Sequence, residues 1–394
     1  MLRAGVGHSV APNPKIAAAE ATVAALAAAG LSQATGALVF ATTAYGAAFT
    51  MILRAVAAAA KTSEVAGCSS AGIIACENEI EKGHALAVMV FGGSDLSAHR
   101  FFTPQLRGRG AEVAAEIANA VRPALAASNL LLIFPDSYNA NSETLLPALA
   151  RELPGVAIAG GGASEDGSAG ETFQFCGDTV SNNAVSGMLL AGDFDLTISS
   201  ALACTPIGPP HRVTGVRDNI ILTLDERPAY EVFAAAAGPL AKDLRRALAF
   251  VFLAVPHDPA RADFSRGSYL VRNIIGASEE HGVFAVAHTP KLGDLVAIVL
   301  RDAERSRADL KAMLEELQAA SSAPPAFGLY FDCVSRGSGL YSLAGHDAAY
   351  IRQYLGEFPL AGFFTGFEVG PAGDATAALQ YSGVLALVSP KRNG

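Results

Sequence analysis

Two stretches near the end of the chain carry residue types that suit the binding of a small polar molecule. The apolar run Phe327–Cys333 leads into Ser335 and Arg336, and the apolar run Pro359–Thr365 leads into Glu368. An arginine can hold a carboxylate through two parallel hydrogen bonds, and a glutamate can accept hydrogen bonds from an ammonium group. Because ligands of α/β proteins bind where strands end, these stretches predict a site for an amino-acid-like ligand.

Two earlier parts of the chain end in the same kind of small and polar residues. An apolar run ends in Asp136 and Ser137. Small residues fill Ala66–Gly72 and the start of Ala159–Gly167, which continues with the acidic Glu165 and Asp166. Backbone N–H groups and hydroxyls at such turns suit an anion, and Asp136 is an alternative ammonium acceptor. The alternatives without a ligand are a surface arginine–glutamate pair and glycines that serve tight bends. The full predicted ligand-binding set is Arg336, Glu368, Cys333, Ser335, Thr365, Gly366, Asp136, Ser137, Cys68, Ser69, Ser70 and Gly161.

The cysteines allow a different chemistry. Cys68 and Cys333 lie at predicted strand ends, where a thiolate nucleophile would need a neighbouring base or a lowered pKa. Arg336 could supply positive charge near Cys333, but the sequence places no histidine beside either thiol. A thiol-dependent enzyme and buried, unreactive cysteines are therefore the two alternatives. Since the sequence shows no Gly-x-Ser-x-Gly elbow and no Ser-His-Asp order, we predict no catalytic residue and no metal site.

Composition bounds the class of protein and its partners. The chain has 394 residues, of which 51% are hydrophobic and 16% charged, and its formal net charge is -9 without a long run of Lys or Arg. A large apolar core is expected, and nucleic acid is not expected as a partner. No secretory start and no stretch of roughly 18 uncharged apolar residues is visible, so we expect a cytoplasmic protein without membrane insertion. Five widely spaced cysteines without a Cys-x-x-Cys pair predict reduced thiols.

Hydrophobic periodicity and turn residues predict alternating strands and helices. The predicted helices are Lys15–Ala29, Ala47–Lys61, Val113–Ala127 with a kink at Pro123, Ser142–Leu153 capped by Ser142, Ala229–Ala237, Ser306–Ala320 and Asp347–Leu355. The predicted strands are Ala37–Thr43, one within Glu64–Ala75, Ala85–Phe91, Asn129–Pro135, Val156–Ala159, Ala184–Ala191, Leu295–Leu300, Phe327–Cys333, Pro359–Thr365 and Tyr381–Val388. A hairpin is predicted at Tyr269–Ala287 and a linker at Ser321–Pro325.

The order strand, helix, strand, hairpin, strand occurs three times along the chain. Each first strand contains a phenylalanine and each second strand contains an Ala-Gly pair. These markers are Phe40 with Gly67, Phe134 with Gly160, and Phe331 with Gly362. Because a β-α-β unit followed by an antiparallel strand builds a mixed sheet, the predicted fold is α/β, with mixed sheets built from repeated β-α-β-β units and covering helices. The alternative is that these similarities are ones that any α/β chain shows, without a true internal repeat.

Several strings of this sequence resemble the FIST (F-box and intracellular signal transduction) family, and the resemblance covers nearly the whole chain. The strings are Phe331–Gly337 (FDCVSRG), Phe363–Pro371 (FFTGFEVGP) and Leu202–Val213 (LACTPIGPPHRV) for the C-terminal half, and Ala66–Ile73 and Leu130–Gly162 for the N-terminal half. The resemblance implies two domains. A FIST N-terminal domain with two units would occupy 1–205, and a FIST C-terminal domain would occupy 206–394 with the third unit in 326–388.

The resemblance also implies a function. FIST domains are described as sensory modules for small ligands, and this chain is similar to the bacterial stand-alone type, so its signal is expected to pass to a separate partner protein such as a histidine kinase. Some family members are haem-based nitric-oxide sensors, which makes haem an alternative although no cofactor is expected. Any of His84, His99, His281 and His288 could then be an axial ligand, but no Cys-x-x-Cys-His attachment motif is present.

Overall fold

Three six-stranded mixed sheets with one common strand order form most of the protein, as described by a computed structural model for residues 2–258, 261, 263–320 and 324–391. In spatial order, sheet 1 contains β1 (Arg3–Ser9), β6 (Leu86–Gly92), β2 (Gly36–Thr42), β3 (Val65–Ser70), β10 (Gln174–Cys176) and β11 (Thr179–Ser181). Sheet 2 contains β7 (Leu96–Pro104), β12 (Ala184–Gly192), β8 (Ser128–Pro135), β9 (Ala157–Gly161), β25 (Glu368–Ala372) and β26 (Ala375–Leu379). Sheet 3 contains β13 (Phe194–Leu202), β27 (Ser382–Pro390), β23 (Phe327–Cys333), β24 (Leu360–Thr365), β4 (Ile73–Ala75) and β5 (Asn78–Ile80).

Each of these three sheets is extended by a two-stranded hairpin that belongs to a different repeat from its central strands. The central pairs β2–β3, β8–β9 and β23–β24 are parallel, as a β-α-β unit requires. The hairpin β4–β5 of the first unit extends the sheet of the third, β10–β11 extends the first, and β25–β26 extends the second. The predicted α/β class with mixed sheets is confirmed, and the exchange of hairpins ties the first and last quarters of the chain together.

The Ala-Gly pairs have a steric cause. A Cβ atom on Gly67, Gly160 or Gly362 would lie 1.8, 2.0 or 1.7 Å from the backbone oxygen of the residue opposite it on the first strand of the unit. Those distances are too short for any side chain, so the second strand of each unit needs glycine at this point. The repeat in the sequence is therefore a repeat of one close strand contact.

The inner faces of the three sheets share a single apolar core. Residues that alternate along the first strands, such as Leu38 and Phe40 or Leu132 and Phe134, are fully buried in this core. The rings of Phe40 and Phe134 meet edge to face, and Phe363 stacks on Phe40 with 4.7 Å between ring centroids. Phe331 completes the group by packing against Phe134 and Phe363.

Helices cover the outer faces of the three sheets. The α-helices are α1 (Pro14–Ala29), α2 (Phe49–Ala60), α3 (Gly110–Val121), α4 (Ser142–Glu152), α5 (Ala229–Ala237), α6 (Leu244–Phe250), α7 (Ala303–Ala320), α8 (Gly337–Tyr341) and α9 (His346–Leu355). Helices α1 and α2 pack on sheet 1, α3 and α4 on sheet 2, and α7 and α9 on sheet 3. The stretch Thr43–Ala60 is long and apolar enough to span a membrane, but here it includes α2, whose buried side Phe49, Ile52 and Val56 belongs to the core beneath sheet 1.

A fourth sheet is inserted between the second and third units. In spatial order it contains β19 (Tyr269–Arg272), β18 (Val251–Pro256), β22 (Leu295–Arg301), β15 (His211–Arg217), β16 (Ile220–Leu224), β21 (Val283–Val286) and β20 (Ile274–Ser278), with β14 (Cys204–Pro206) beside β22 and β17 (Arg227–Pro228) beside β16. Helices α5 and α6 share its apolar core. This sheet supplies one wall of the cleft described below.

Most predicted helices and strands agree with the structure to within a few residues, but the helix predicted to run to Ala127 ends at Val121. The hairpin predicted over Tyr269–Ala287 is confined to β20 and β21, because β19 pairs with β18. The kink predicted at Pro123 is a short 3-10 turn, Arg122–Ala124, that follows α3. The cap of α4 is Asn141, whose side chain accepts a hydrogen bond from the Glu143 N–H, so the capping role predicted for Ser142 is wrong by one residue. Strands β1, β7 and β18 and helices α6 and α8 are missing from the prediction, and residues 321–323 of the predicted linker lie outside the described part of the chain.

Candidate functional site

The ends of the second strands are tied to one another at one end of the core. Ser69 Oγ donates to the carbonyl oxygen of Ser164 at 3.1 Å. Ser164 Oγ in turn donates to the carbonyl oxygen of Phe364 and accepts from the Ala71 N–H. These hydroxyls, which come from the first and second units, satisfy backbone groups of all three units, so Ser69 acts as a structural link between them.

Glu368 lies in a closed polar cluster beside this link. Its carboxylate accepts from Thr365 Oγ1 at 2.6 Å and from both the Oγ and the N–H of Ser382. Burial raises the pKa of Glu368 to about 7, although the hydrogen bonds from Ser382, Thr365 and Cys333 act in the opposite direction. The structure thus brings together the predicted residues Glu368, Thr365 and Cys333, all of them buried.

Small residues of the second and third units meet next to this cluster. A Cβ atom on Gly161 would lie 2.4 Å from Thr365 Cγ2, and one on Gly366 would lie 2.5 Å from Ser137 Oγ. Ser137 Oγ donates to the carbonyl oxygen of Ala163 at 2.7 Å. Here glycine is needed for close contact between two strand ends, a use that differs from the tight bends expected from the sequence.

The Asp136 carboxylate is fully hydrogen-bonded within the protein. It is 1% exposed, and its two carboxylate oxygens accept four hydrogen bonds, from the Tyr138 N–H, Thr172 Oγ1, Asn139 Nδ2 and the Asn183 N–H. A carboxylate whose acceptor sites are filled in this way organises the loop before α4. The geometry therefore does not offer Asp136 to a bound ammonium group.

Arg336 occupies a buried ion cluster on the opposite face of β23. The guanidinium is fully buried; its Nε lies 2.8 Å from Asp332 Oδ1, its Nη2 lies 2.6 Å from Asp347 Oδ2, and its Nη1 donates to Ser306 Oγ at 2.9 Å. Burial opposes ionisation of Asp347, but Arg336 and the neighbouring donors hold its pKa at about 2. Because Asp332 and Cys333 are consecutive on a strand, they point to opposite faces. Arg336 and Glu368 consequently do not form one site, and the predicted carboxylate clamp is corrected to an internal ion cluster.

The remaining predicted residues are buried or half-buried. Cys68, Ser69 and Ser70 have no exposed surface, and the half-buried Ser335 uses its carbonyl oxygen to accept from Arg301 Nη1. All five cysteines are free thiols, and burial raises the pKa of each one. Within the described ranges, no group of three or more His, Cys, Asp or Glu residues is arranged to hold a metal ion.

Ser137 and Gly366 lead from the strand ends into a cleft that the sequence did not predict. The cleft consists of two adjoining cavities of about 660 and 410 Å³. Its walls come from α4 of the second unit, the β25–β26 hairpin of the third unit, and strand β19 with the following loops of sheet 4. The residues that line both cavities are Ser142, Glu143, Arg272, His288, Thr289 and Ala378.

The cleft contains polar groups that the protein leaves without partners. The hydrogen bond found for the Arg272 side chain among the described residues runs from Nη1 to the carbonyl oxygen of Val271 at 3.0 Å. His288 Nδ1 and Gln380 Oε1 are shielded from solvent and have no hydrogen-bond partner in the described structure. Buried polar groups are normally satisfied, so several such groups around one cavity indicate a ligand site.

The electrostatics of the cleft suit a ligand with a negative charge. Burial lowers the pKa of Arg272, and the Glu143 carboxylate acts against that shift. Burial, and then the positive charge of Arg272, lower the pKa of His288, so both favour the neutral imidazole. Glu143 Oε1 lies 4.0 Å from His288 Nδ1, at the outer side of the cleft. Arg272 and His288 have no motif; the one sequence signal was an arginine in the apolar strand Tyr269–Arg272.

The histidines named as haem candidates have polar or aromatic neighbours. His288 Nδ1 lies 4.0 Å from Glu143 Oε1, and the positive charge of Arg272 acts on the same imidazole. Other histidines named as candidates contact polar or aromatic neighbours: His84 stacks edge-on against Tyr45, His99 contacts Ser97, and His281 contacts Ser278. Haem at any of these stays a prediction.

Comparisons with known proteins agree on one family. The model of the FIST N domain matches residues 36–227, and that of the FIST C domain matches residues 229–371. An uncharacterized protein of Mycobacterium tuberculosis (strain ATCC 25618 / H37Rv) is 31% identical over 390 residues, which are 98% of this chain and 99% of the relative. An uncharacterized protein of Mycobacterium bovis is 30% identical over 323 residues, or 82% of each chain.

Solved structures give weaker likenesses. A cyanuric acid hydrolase from A. caulinodans aligns over 99% of both chains with a TM-score of 0.38 and 11% identity. A chorismatase aligns over 99% of this chain and 98% of the enzyme with a TM-score of 0.35 and 9% identity.

Proposed function

The chain belongs to the FIST family, whose domains are sensory domains, and we propose that it is a sensory protein that binds a small polar or anionic molecule, such as an amino acid, in the cleft between α4 and sheet 4. The ligand would contact Arg272, His288 and Gln380. The signal would pass to a separate partner protein, of which a histidine kinase is one candidate.

The observation that carries the proposal is the cluster of unsatisfied polar groups. A buried polar group without a partner costs roughly 1–3 kcal/mol, and Arg272 adds a guanidinium whose one assigned partner is a carbonyl oxygen. A carboxylate in the cleft would accept from Arg272, and the ammonium group of an amino acid would donate to the acceptor Gln380 Oε1 or to an unprotonated His288 Nδ1. The free protein thus retains polar groups that a ligand would satisfy.

The cleft also offers a place for the ammonium group of an amino acid. Glu143 lies at the start of α4 on the same wall and is 68% exposed at its side chain, so its carboxylate can turn toward a bound cation. Arg272 and Glu143 come from different parts of the chain, sheet 4 and the second unit. A zwitterionic ligand would bridge these two parts and change how firmly they hold together, which is a means of signalling to a partner.

A thermal-shift screen tests the proposal. Purified protein is heated with each amino acid and with small carboxylates, and at least one compound is expected to raise the melting temperature, because a ligand at 100 times its Kd stabilises the folded state by about 2.7 kcal/mol. The shift should be lost in Arg272→Ala. It should persist in Arg245→Ala, which removes an exposed arginine of α6 that lines neither cavity of the cleft.

Two results would count against the proposal. One is a screen in which no compound shifts the melting temperature by more than the buffer does. The other is a shift of the same size in Arg272→Ala as in the unmodified protein, which would place the ligand elsewhere.

A further inference from the structure

The two cavities of the cleft differ in chemistry, and we propose that the ligand is an amphipathic carboxylate, whose acid group binds at Arg272 and whose apolar tail fills the smaller cavity. This inference rests on the proposed function, since it names the class of ligand for the same cleft. It goes further by requiring a tail of several carbon atoms, which the smallest polar amino acids lack.

The larger cavity is the polar one. Besides Arg272 and His288, its lining includes Ser137, Asn141, Asn219 and Gln380, all with hydrogen-bonding side chains. Ser137, Asn141 and Asn219 already bond to Ala163, Glu143 and Val286. Arg272, His288 and Gln380 are therefore the groups that would meet the charged head of a ligand. Ligand sites commonly combine a few such polar groups with a mainly apolar wall.

The smaller cavity has a mainly apolar lining. It is lined by aliphatic residues of α4, sheet 4 and the β25–β26 hairpin, namely Leu146, Pro147, Val255, Leu270, Leu295 and Ala377. Its volume of about 410 Å³ lies within the range of small-molecule sites, roughly 300–1,000 Å³. An ion alone would leave this space to water against apolar side chains, so the cavity favours a ligand with an apolar portion.

Arg272 stands at the junction of the two cavities. It lines both, as do His288 and Ala378. The acidic Asp294 also lines the apolar cavity, but its Oδ2 already accepts from the Lys291 N–H at 2.7 Å in the same loop. A carboxylate at Arg272 can therefore extend its tail into the apolar cavity while its head stays among the polar groups.

Titration calorimetry with straight-chain carboxylates tests the inference directly. The probes are acetate, butanoate, hexanoate and octanoate, together with 1-hexanol and hexylamine as uncharged and positively charged partners of the six-carbon acid. We expect Kd to fall by about fourfold for each added methylene until the cavity is full. The alcohol and the amine should bind at least tenfold more weakly than hexanoate, and Arg272→Ala should abolish the difference between hexanoate and hexanol.

A variant that fills the apolar cavity separates the tail from the head. Ala150 is exposed on α4 and lines this cavity, so Ala150→Phe should weaken octanoate binding at least tenfold and leave acetate and small amino acids unchanged. Ala120→Phe is the matched control, because Ala120 is likewise exposed but on α3. It should leave the whole series unchanged.

The outcomes distinguish this inference from the proposed function. If amino acids bind through Arg272 but Kd does not change with chain length, the amphipathic ligand is refuted and the sensory site stands. If hexanol binds as tightly as hexanoate, the carboxylate requirement is refuted. If no acid and no amino acid responds to Arg272→Ala, the cleft is not the ligand site and both proposals fail.

Discussion

The rings of Phe40 and Phe134 meet edge to face, with their centroids 5.4 Å apart and their planes at 85°. They are the first-strand aromatic residues of two repeats, and Phe331 of the third repeat packs against Phe134. Edge-to-face aromatic pairs contribute about 0.5–1.5 kcal/mol beyond the area that they bury. The repeats are therefore joined through equivalent residues at the centre of the protein.

Replacement of Phe134 tests the importance of this centre. Phe134→Ala should lower the free energy of unfolding by about 3–5 kcal/mol, because a fully buried ring in contact with three others leaves a cavity. Phe134→Leu should cost less. Urea unfolding followed by circular dichroism measures both, with the half-buried Phe102→Ala on β7 as the control. Equal losses for Phe134→Ala and Phe102→Ala would show that the three repeats are not held together at this point.

Replacement of Arg336 separates an internal role from a ligand role. Arg336→Met leaves Asp332 and Asp347 without their buried cation and should lower the free energy of unfolding by about 3–5 kcal/mol. The double variant Arg336→Met/Asp347→Asn should recover part of that loss. Arg54→Met breaks an exposed pair with Asp178 and should cost only about 0–1 kcal/mol. A stable Arg336→Met protein that no longer responds to a ligand would instead restore the ligand role that the sequence suggests.

The stability of the protein should fall between pH 5 and pH 8. Burial raises the pKa of Glu368 to about 7, and burial together with Asp347 raises that of Glu79 to about 7, from an ordinary value of 4.5. The folded state then binds more protons than the unfolded state between those values. The stabilising contribution of these two groups is therefore complete below about pH 4.5 and is lost as the pH rises through 7. Each group contributes at most about 1.4 kcal/mol per pH unit.

The matched variant for this prediction is Glu368→Gln, which removes one of the two groups. Its free energy of unfolding, measured in urea at pH 5, 6, 7 and 8, should decline less steeply than that of the unmodified protein. His288 acts in the opposite direction below its ordinary pKa because its pKa is lowered, but it is common to both proteins and cancels in the difference. Parallel pH profiles would mean that Glu368 is not protonated on folding.

The thiols should react slowly in the folded protein. Burial raises the pKa of all five thiols. Cys76 is half-buried, whereas the other four are buried. A thiol reagent at pH 7 should label Cys76 first, more slowly than free cysteine, and Cys76→Ser should remove that first phase. Rapid labelling of Cys68 or Cys333 would favour the thiol-dependent enzyme instead.

The sequence predicts local features of the fold well because their causes are local. The Ala-Gly pair marks the close strand contact at Gly67, Gly160 and Gly362. Helix α1 is capped at its start by the Asn13 side chain and at its end by the Gly30 backbone. The exchange of hairpins is different. Strands β4, β5, β10 and β11 have three residues each, so their hydrophobic pattern is too short to predict which strand they pair with. The sheets that they extend belong to another repeat.

The candidate site was predicted only in part for a related reason. Ser137 and Gly366 do reach the cleft, but Arg336 has the same sequence context whether it faces a ligand or an ion cluster. Its partner Asp347 lies on α9, and only the packing of α9 on sheet 3 brings that carboxylate against Arg336. Arg272 and His288 carry no motif because their neighbours in space are distant in sequence.

By itself, the sequence determined the α/β class, the threefold repeat, the glycines of the second strands and the family, since each depends on residue type at short range or on order along the chain. Only the tertiary structure decided which charged residues are satisfied internally and which face a cavity. Burial of a charge depends on every segment packed around it. Arg336 and Arg272 both lie at or just beyond the end of a strand, yet one is enclosed by carboxylates and the other is left at the junction of an open cleft.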